Sequence, residues 1–270
     1  MPIRETYAVS TAAAERYETQ KVAAIFRPLA EGTLRRLAPA PGQRIIDIAC
    51  GTGIVARLVA GMIAPAGRVV GVDLNPAMIA VARRQPVTGR VIPEYREADA
   101  AALPFDAAAF DLAICQQGLQ FFPDRRAALA EMARVLVPRG RLAFSIWSGV
   151  PPFFAALGES VGRHLGAEAA ARCVAPFARP DPAFLHADLR AVGFAGIAET
   201  EIELIRVMAP AERCVPAELL ASPLAETVSS APPQALAAIV AEMEAAMAPF
   251  ATAAGLAVPQ AALLVTADRQ

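Results

Sequence analysis

The 270-residue chain is long enough to bury one large core, and its 25 basic and 26 acidic side chains leave a net charge of −1 with no long run of one sign. That balance excludes the electrostatic footprint of a nucleic-acid or anionic-lipid binder and favours a small, near-neutral ligand. Four dispersed cysteines, Cys50, Cys115, Cys173 and Cys214, form no C-x-x-C pair, which argues against a zinc site or a disulfide scaffold and for a reducing compartment. In chain order, "MPIRE" places an acid and a base where a secretory signal needs an apolar core, so a cytoplasmic location is expected. Residues 11 to 37 predict a helix, with Ile25, Leu29, Leu34 and Leu37 near a 3.6-residue period beside Arg16, Glu18, Lys21, Arg27, Arg35 and Arg36. "APAPG" at 38 to 42 ends it.

Short apolar runs then alternate with helical patterns. The predicted strands are "RIIDIA" (44 to 49), "RVVGVD" (68 to 73), "VIPEYREA" (91 to 98), "FDLAIC" (110 to 115) and "RLAFSIW" (141 to 147). Helices are expected near 53 to 63, 76 to 84 and 124 to 136, with Asn75-Pro76 and Pro123-Asp124 as start signals. Alternating strand and helix implies right-handed crossovers and a parallel sheet.

Beyond Trp147 the pattern changes. A Pro- and aromatic-rich loop, "SGVPPFF", leads to helices near 154 to 170 and 182 to 191, a strand "AETEIELIRV" (198 to 207), helices near 211 to 221 and 233 to 248, and a last strand "ALLVTA" (262 to 267). The tract from Ala245 to Ala267 is uncharged, but Pro249, Gly255, Pro259 and Gln260 interrupt it, so buried core is expected there rather than a membrane span. The expected architecture is α/β: a Rossmann-like, seven-stranded, mostly parallel sheet with helices on both faces. Residues 1 to 40 form an N-terminal helical arm and 41 to 150 the core. Residues 151 to 270 supply a helical lid and the remaining strands of the same domain.

In such a sheet, ligands bind beyond the carboxyl ends of the strands where the strand order reverses. Gly51, Gly53 and Ala56 fit G-x-G-x-x-A, so a nicotinamide dinucleotide is one reading. Asp73, 20 residues beyond Gly53, can take both hydroxyls of a ribose and does not separate that ligand from other adenosine ligands. Asp47 does: it precedes Cys50-Gly51-Thr52-Gly53 inside the strand, where a carboxylate repels a pyrophosphate and suits an amino or sulfonium group. Asp99, after the third strand, can accept from an adenine amino group while the Ala100 N–H meets the ring. Gln116 and Gln117 bring uncharged donors and acceptors to the end of the fourth strand.

"IIDIACGTGIVA", "VVGVDLNPAMIAVAR", "EADAAALPFDAAAFDLAICQQGLQFF" and "EMARVLVPRGRLAFSIW" resemble, in order and spacing, the successive motifs of class I S-adenosylmethionine-dependent methyltransferases. The similarity covers about residues 40 to 150 and points to the branch with the ubiquinone and menaquinone biosynthesis enzymes. It implies that S-adenosylmethionine is the cofactor, with Ala49, Gly51, Thr52 and Gly53 around its methionine part and Asp47 near the amino group. By the same resemblance Asp73 holds the ribose, Leu74 and Met78 pack on the adenine, and Asp99 and Ala100 read its edge. Gln116 and Gln117 line the route to the methyl group, and Tyr17 and Phe26 on the arm close the pocket.

Methyl transfer from a sulfonium is an in-line displacement of an already activated group, so positioning supplies much of the catalysis and a base is optional. His164 is the candidate base, set against a solvated helix-face histidine; His186 is read as structural. Gln120 stands where relatives often place His, which removes base catalysis from that position. Phe121, Phe122, Trp147, Phe153 and Phe154 are read either as an apolar wall for a small aromatic or isoprenoid acceptor or as ordinary core. Asp106, Asp111, Asp124 and Glu131 are expected as turn, cap or surface groups, and Cys50 and Cys115 as inert buried thiols. No metal is expected, and a homodimer is left open. Two other classes compete: a nicotinamide oxidoreductase, which gives Asp47 and Asp99 no role, and a non-methylating user of the cofactor such as a cyclase or regulator.

Overall fold

The computed structural model describes residues 10–177, 182–222 and 224–270; the charged stretch at 1 to 5 lies outside them. The chain divides into two compact units. The first comprises residues up to Ile146 with 180–202 and 263–270, and the second comprises 147–179 and 203–262.

In the first unit, α1 (Thr11–Arg16) runs into a π-helix (Tyr17–Phe26) and then α2 (Arg27–Leu37). One α-helix was expected over 11 to 37. The wider winding matters, because Tyr17 and Phe26 are nine residues apart. At 3.6 residues per turn they would face opposite sides, whereas at about 4.4 residues per turn they share one, and their rings stack with centroids 5.1 Å apart. Next come β1 (Arg44–Ile48), α3 (Ile54–Met62), β2 (Arg68–Asp73), α4 (Pro76–Arg84), β3 (Glu94–Glu97), β4 (Phe110–Gln116), α5 (Arg125–Val135) and β5 (Leu136–Trp147). Helix α8 (Pro182–Ala191) and the first part of β6 (Phe194–Met208) also belong here, with the last part of β8 (Gly255–Arg269).

The sheet order is β3-β2-β1-β4-β5-β8-β6, and the pairs β1–β2, β1–β4, β2–β3 and β4–β5 are parallel. The order therefore reverses between β1 and β4, which marks their carboxyl ends as the place to look. Alternation sends Ile46, Ile48, Val70, Val72, Ala113 and Phe144 into a core shared with Leu129 and Met132 of α5 and Leu189 of α8. Helices α3 and α4 pack against β1, β2 and β3, which covers both faces. Asp111 and Asp124 have the structural roles expected of them. Asp111 accepts from the Arg44 backbone N and guanidinium (2.8 and 2.7 Å), and Asp124 caps α5 through Ala127 N (2.9 Å).

The second unit holds α6 (Pro152–Leu165), α7 (Ala167–Val174), α9 (Ala211–Leu220), α10 (Ala225–Ser229), α11 (Pro233–Met247) and β7 (Ala251–Thr252). Its core joins Phe153, Leu157 and Val161 of α6 to Val215 of α9 and to Ile239 and Met243 of α11. Eight strands are found among the described residues where seven were expected. The additional one is β7, which pairs antiparallel with the start of β8 at Ala251↔Leu256 and Thr252↔Gly255. The uncharged tract of 245 to 267 forms the end of α11, β7 and most of β8. Among the described residues no helix is long and apolar enough to cross a membrane.

Candidate active site

The loop after β1 is held in conformations that side chains disfavour. Ala49 (φ 55°), Gly51 (φ 55°) and Gly53 (φ 83°) are left-handed, and Gly53 opens directly into α3. A Cβ on Gly53 would clash with the Tyr95 hydroxyl, so the ring of Tyr95 packs against the loop. The register explains how Tyr95 reaches it: Asp47, Gly71 and Tyr95 pair in one row across β1, β2 and β3. Gly71 leaves the gap that the Tyr95 ring and Cys50 Sγ fill, since a Cβ there would meet them at 2.8 and 3.0 Å. Tyr95 was not singled out from the sequence; the glycine inside "RVVGVD" was its signal.

The arm lies over the same loop. The Tyr17 ring and hydroxyl are within 3.8 Å of a Cβ built on Gly51, and Phe26 stacks on Tyr17. Gln116, at the end of β4, donates from Nε2 to the Phe26 carbonyl (3.1 Å). A second tether comes from a pair the sequence did not suggest: Arg57 of α3 binds Glu18 of the arm (2.7 Å), with side chains only 8% and 15% exposed. Arg57 also donates to the Thr52 carbonyl.

Two carboxyl groups lie under this cover. Asp47 is 1% exposed and accepts from Ala56 N in the first turn of α3 (3.0 Å). Burial pushes its carboxyl up to about 8, against the lowering effect of that N–H, and Asp73 adds to the rise. Asp73 accepts from Gly51 N (2.8 Å) and Asn75 N (2.9 Å), and burial raises it despite both bonds. The Tyr17 hydroxyl is raised by burial and then by Asp73, Glu18 and Asp47. Arg57, the cation that acts on Asp47, is already paired with Glu18. The site is therefore short of positive charge, which suits a cationic ligand and disfavours a pyrophosphate.

At the end of β4, Gln117 is also left-handed (φ 56°) and buried. Its backbone N donates to the Ser145 carbonyl (2.9 Å), and Gln120 Nε2 donates to Gln117 Oε1 (3.2 Å). A Cβ on Gly118 would lie 2.6 Å from the Ala49 Cβ, so the loops after β1 and β4 are in contact. Leu74 and Met78 are half-buried beyond β2, where Asn75 caps α4 by accepting from Ala77 N and Met78 N. Asp73 pairs with Glu97, which puts Asp99 two residues past the end of β3, exposed and accepting from Ala101 N (2.9 Å), with Ala100 buried beside it. Two buried oxygens, Thr52 Oγ1 and Gln116 Oε1, have no protein partner, as expected where a polar ligand completes the bonding. Phe121 is 41% exposed beyond β4.

Trp147, Phe153, Phe154 and His164 belong to the second unit. Phe153 is 1% exposed within its core and packs edge-on against Phe154. His164 Nε2 meets Glu242 Oε1 (2.9 Å), and Glu242 also accepts from Arg163 and Ser160. These bonds, led by that of Arg163, hold the Glu242 carboxyl down at about 2. His186, in the first unit, meets Glu199 (2.8 Å). Burial drives the Cys50 thiol up and that of Cys115 up to about 12, so neither is a ready nucleophile. Among the described residues no group of three or more His, Cys, Asp or Glu side chains is placed to hold a metal ion.

Comparison with known proteins gives the same region prominence. Residues 46–144 match the family model described as a methyltransferase domain. A demethylmenaquinone methyltransferase of Clavibacter sepedonicus is 33% identical over 177 residues, 61% of this chain and 71% of that protein. One from Thermus thermophilus is 44% identical over 100 residues, 37% of this chain and 45% of that one. The match spans about half the length of most of these curated relatives. In fold, the YcgJ protein of Bacillus subtilis is similar with a TM-score of 0.56 at 18% identity, covering 90% of this chain and 98% of that one.

Proposed function

Because the chain belongs to the class I S-adenosylmethionine-dependent methyltransferases, in the branch with the ubiquinone and menaquinone biosynthesis enzymes, we propose that it binds S-adenosylmethionine in its first unit and methylates a small, planar, apolar molecule. The observation that carries this reading is Asp47, 1% exposed, with the half-buried Asp73 beside it at a left-handed glycine loop that Tyr17 lies against. A fixed positive charge relieves what burial imposes on both carboxyls; a pyrophosphate would add to it.

On this reading Ala49, Gly51, Thr52 and Gly53 take the methionine part, with Asp47 supplying negative charge behind it. Asp73 holds the ribose hydroxyls, Leu74 and Met78 pack on the adenine, and Asp99 with Ala100 reads its edge. Gln116 and Gln117 orient the reacting end, and Tyr17 with Phe26 excludes water above it. The bound cofactor supplies an activated methyl group. The residues of the chain then need only align acceptor and donor, an effect worth roughly 7–11 kcal/mol when the geometry is good. With Gln120 beyond β4 and His164 held by Glu242, no base is assigned.

The relatives named for demethylmenaquinone and 2-phytyl-1,4-naphthoquinone favour a bicyclic, oxygen-bearing ring as the acceptor class. The test is incubation with S-adenosylmethionine and reduced 1,4-naphthoquinone, followed by mass spectrometry. Equal amounts of methylated ring and S-adenosylhomocysteine are expected. Saturating cofactor binding with no transfer to this or other aromatic acceptors would favour a cyclase-like or regulatory use of the site instead.

A further inference from the structure

In the second unit, the last residues of β6 alternate cleanly: Leu204, Arg206 and Met208 point inward, while Ile205 and Val207 point out and are 55% and 57% exposed. An arginine therefore occupies an inward position that a leucine would serve better for packing, with apolar residues on the wet side. Arg206 is 5% exposed. Its Nη2 is bound by Glu218 Oε1 at 2.6 Å, a pair whose side chains are only 6% and 14% exposed. Buried pairs of this kind add little net stability against an apolar replacement, so the fold alone gives no reason for it. The Arg206 Nε, moreover, is buried with no acceptor.

The guanidinium lies over the Phe154 ring, 5.5 Å from its centroid. Phe154 in turn meets Phe177 (4.4 Å) and Phe177 meets Trp147 (5.9 Å), so three rings run on from the arginine in continuous contact. Gln260, also in this unit and on the strand that neighbours β6, is 5% exposed with a buried Oε1 that has no donor. A donor and an acceptor are thus left open inside one unit, the donor beside a run of contacting aromatic rings.

We propose that Arg206 is a specificity-determining residue: its Nε donates to a neutral carbonyl or hydroxyl oxygen on a planar ring that lies along Phe154, Phe177 and Trp147. This goes beyond the methyl-transfer reading, which concerns the first unit, and rests on the second unit alone. The ligand is neutral because Glu218 already balances the arginine; a carboxylate or phosphate would bring a second negative charge against that side chain.

The probes are 1-naphthol, 1,4-naphthoquinone, naphthalene and 1-naphthoate, titrated without cofactor and followed by calorimetry and by Trp147, the only tryptophan in the chain. The wild-type protein is expected to bind naphthol and naphthoquinone about 10- to 100-fold more tightly than naphthalene, as a hydrogen bond from a charged donor implies, and naphthoate no more tightly than naphthalene. In Arg206→Met/Glu218→Met, which leaves neither charge alone, the oxygen preference is lost and naphthalene still binds. Arg206→Lys, which keeps the charge but not the planar Nε–H, loses the preference at an unchanged melting temperature and serves if the double variant does not fold. Equal wild-type affinity for naphthol and naphthalene overturns the proposal, as does tightest binding of naphthoate, no binding of any probe, or a preference that survives in either variant. A separate titration with S-adenosylmethionine tells the two readings apart. If it gives no binding while the oxygen preference stands, methyl transfer fails and the Arg206 subsite does not; the converse result removes the subsite alone.

Discussion

The first unit presents left-handed backbone and two carboxyls at its strand ends, and the second presents aromatic rings beside one buried guanidinium. On the proposed reading the first draws its specificity from conformation: Ala49, Gly51, Gly53 and Gln117 are left-handed at the ends of two adjacent strands. In the second, it comes from a single polar side chain, Arg206, set among Phe154, Phe177 and Trp147. The contrast separates two tasks. A site built from backbone geometry tolerates almost no change of shape, whereas a site built from side chains on a helix and a strand can be retuned one residue at a time.

The first difference to break is the rigidity of the loop. Gly53→Ala puts a Cβ on a left-handed residue and against Tyr95, and should cost about 2–5 kcal/mol of stability, seen as a lowered denaturation midpoint, together with cofactor binding. Trimming the neighbour with Tyr95→Phe should not rescue it, because the ring carbons are also within 2.7 Å of that Cβ. Next in size is Asp73→Ala. It should weaken S-adenosylmethionine by roughly 1.5–3 kcal/mol, about 10- to 100-fold by calorimetry, if the carboxylate pairs with the ribose.

Asp47 sharpens the comparison through pH. Its carboxyl is raised to about 8 in the folded chain, so the folded state holds the proton more tightly than the unfolded state. Ligand-free stability should therefore fall as pH rises from the ordinary carboxylate range to about 8. A cationic ligand favours the ionised form, so its binding should release a proton and tighten by up to about tenfold per pH unit below that value. Asp47→Asn, which can still accept from Ala56 N, should flatten both slopes to what the likewise raised Asp73 leaves, in urea titrations and in calorimetry run in two buffers of different ionisation enthalpy. The smallest effect is expected in the second unit at His164. His164→Ala should change stability by less than about 1 kcal/mol, because Glu242 keeps Arg163 and Ser160, and should leave cofactor affinity unchanged.

The strands and the loop after β1 were legible because they depend on patterns with a fixed period or a required residue type. Apolar runs bounded by turn residues mark β1, β2 and β4, and glycine marks a left-handed backbone. Helices α4 and α8 matched the expected ranges of 76 to 84 and 182 to 191. The π-helix was not legible, since the apolar spacing around it also fits an α-helix and only the stacking of Tyr17 on Phe26 distinguishes the two windings. Tyr95 and the Glu18–Arg57 pair were missed because they join elements far apart in sequence, although the glycine in β2 hinted at the first. Arg206 was hidden for the opposite reason. Strand alternation shows which residues share a face but not which face is buried, and in "IELIRV" both faces carry charged and apolar residues.

On the proposed reading, the buried Asp47 of the first unit selects a sulfonium ligand over a dinucleotide. Calorimetric titration of the wild-type protein with S-adenosylmethionine and, separately, with NAD and NADH tests it most directly. Saturable binding of S-adenosylmethionine with no heat from either nicotinamide is the predicted result; tight NAD or NADH binding with no S-adenosylmethionine signal would contradict it.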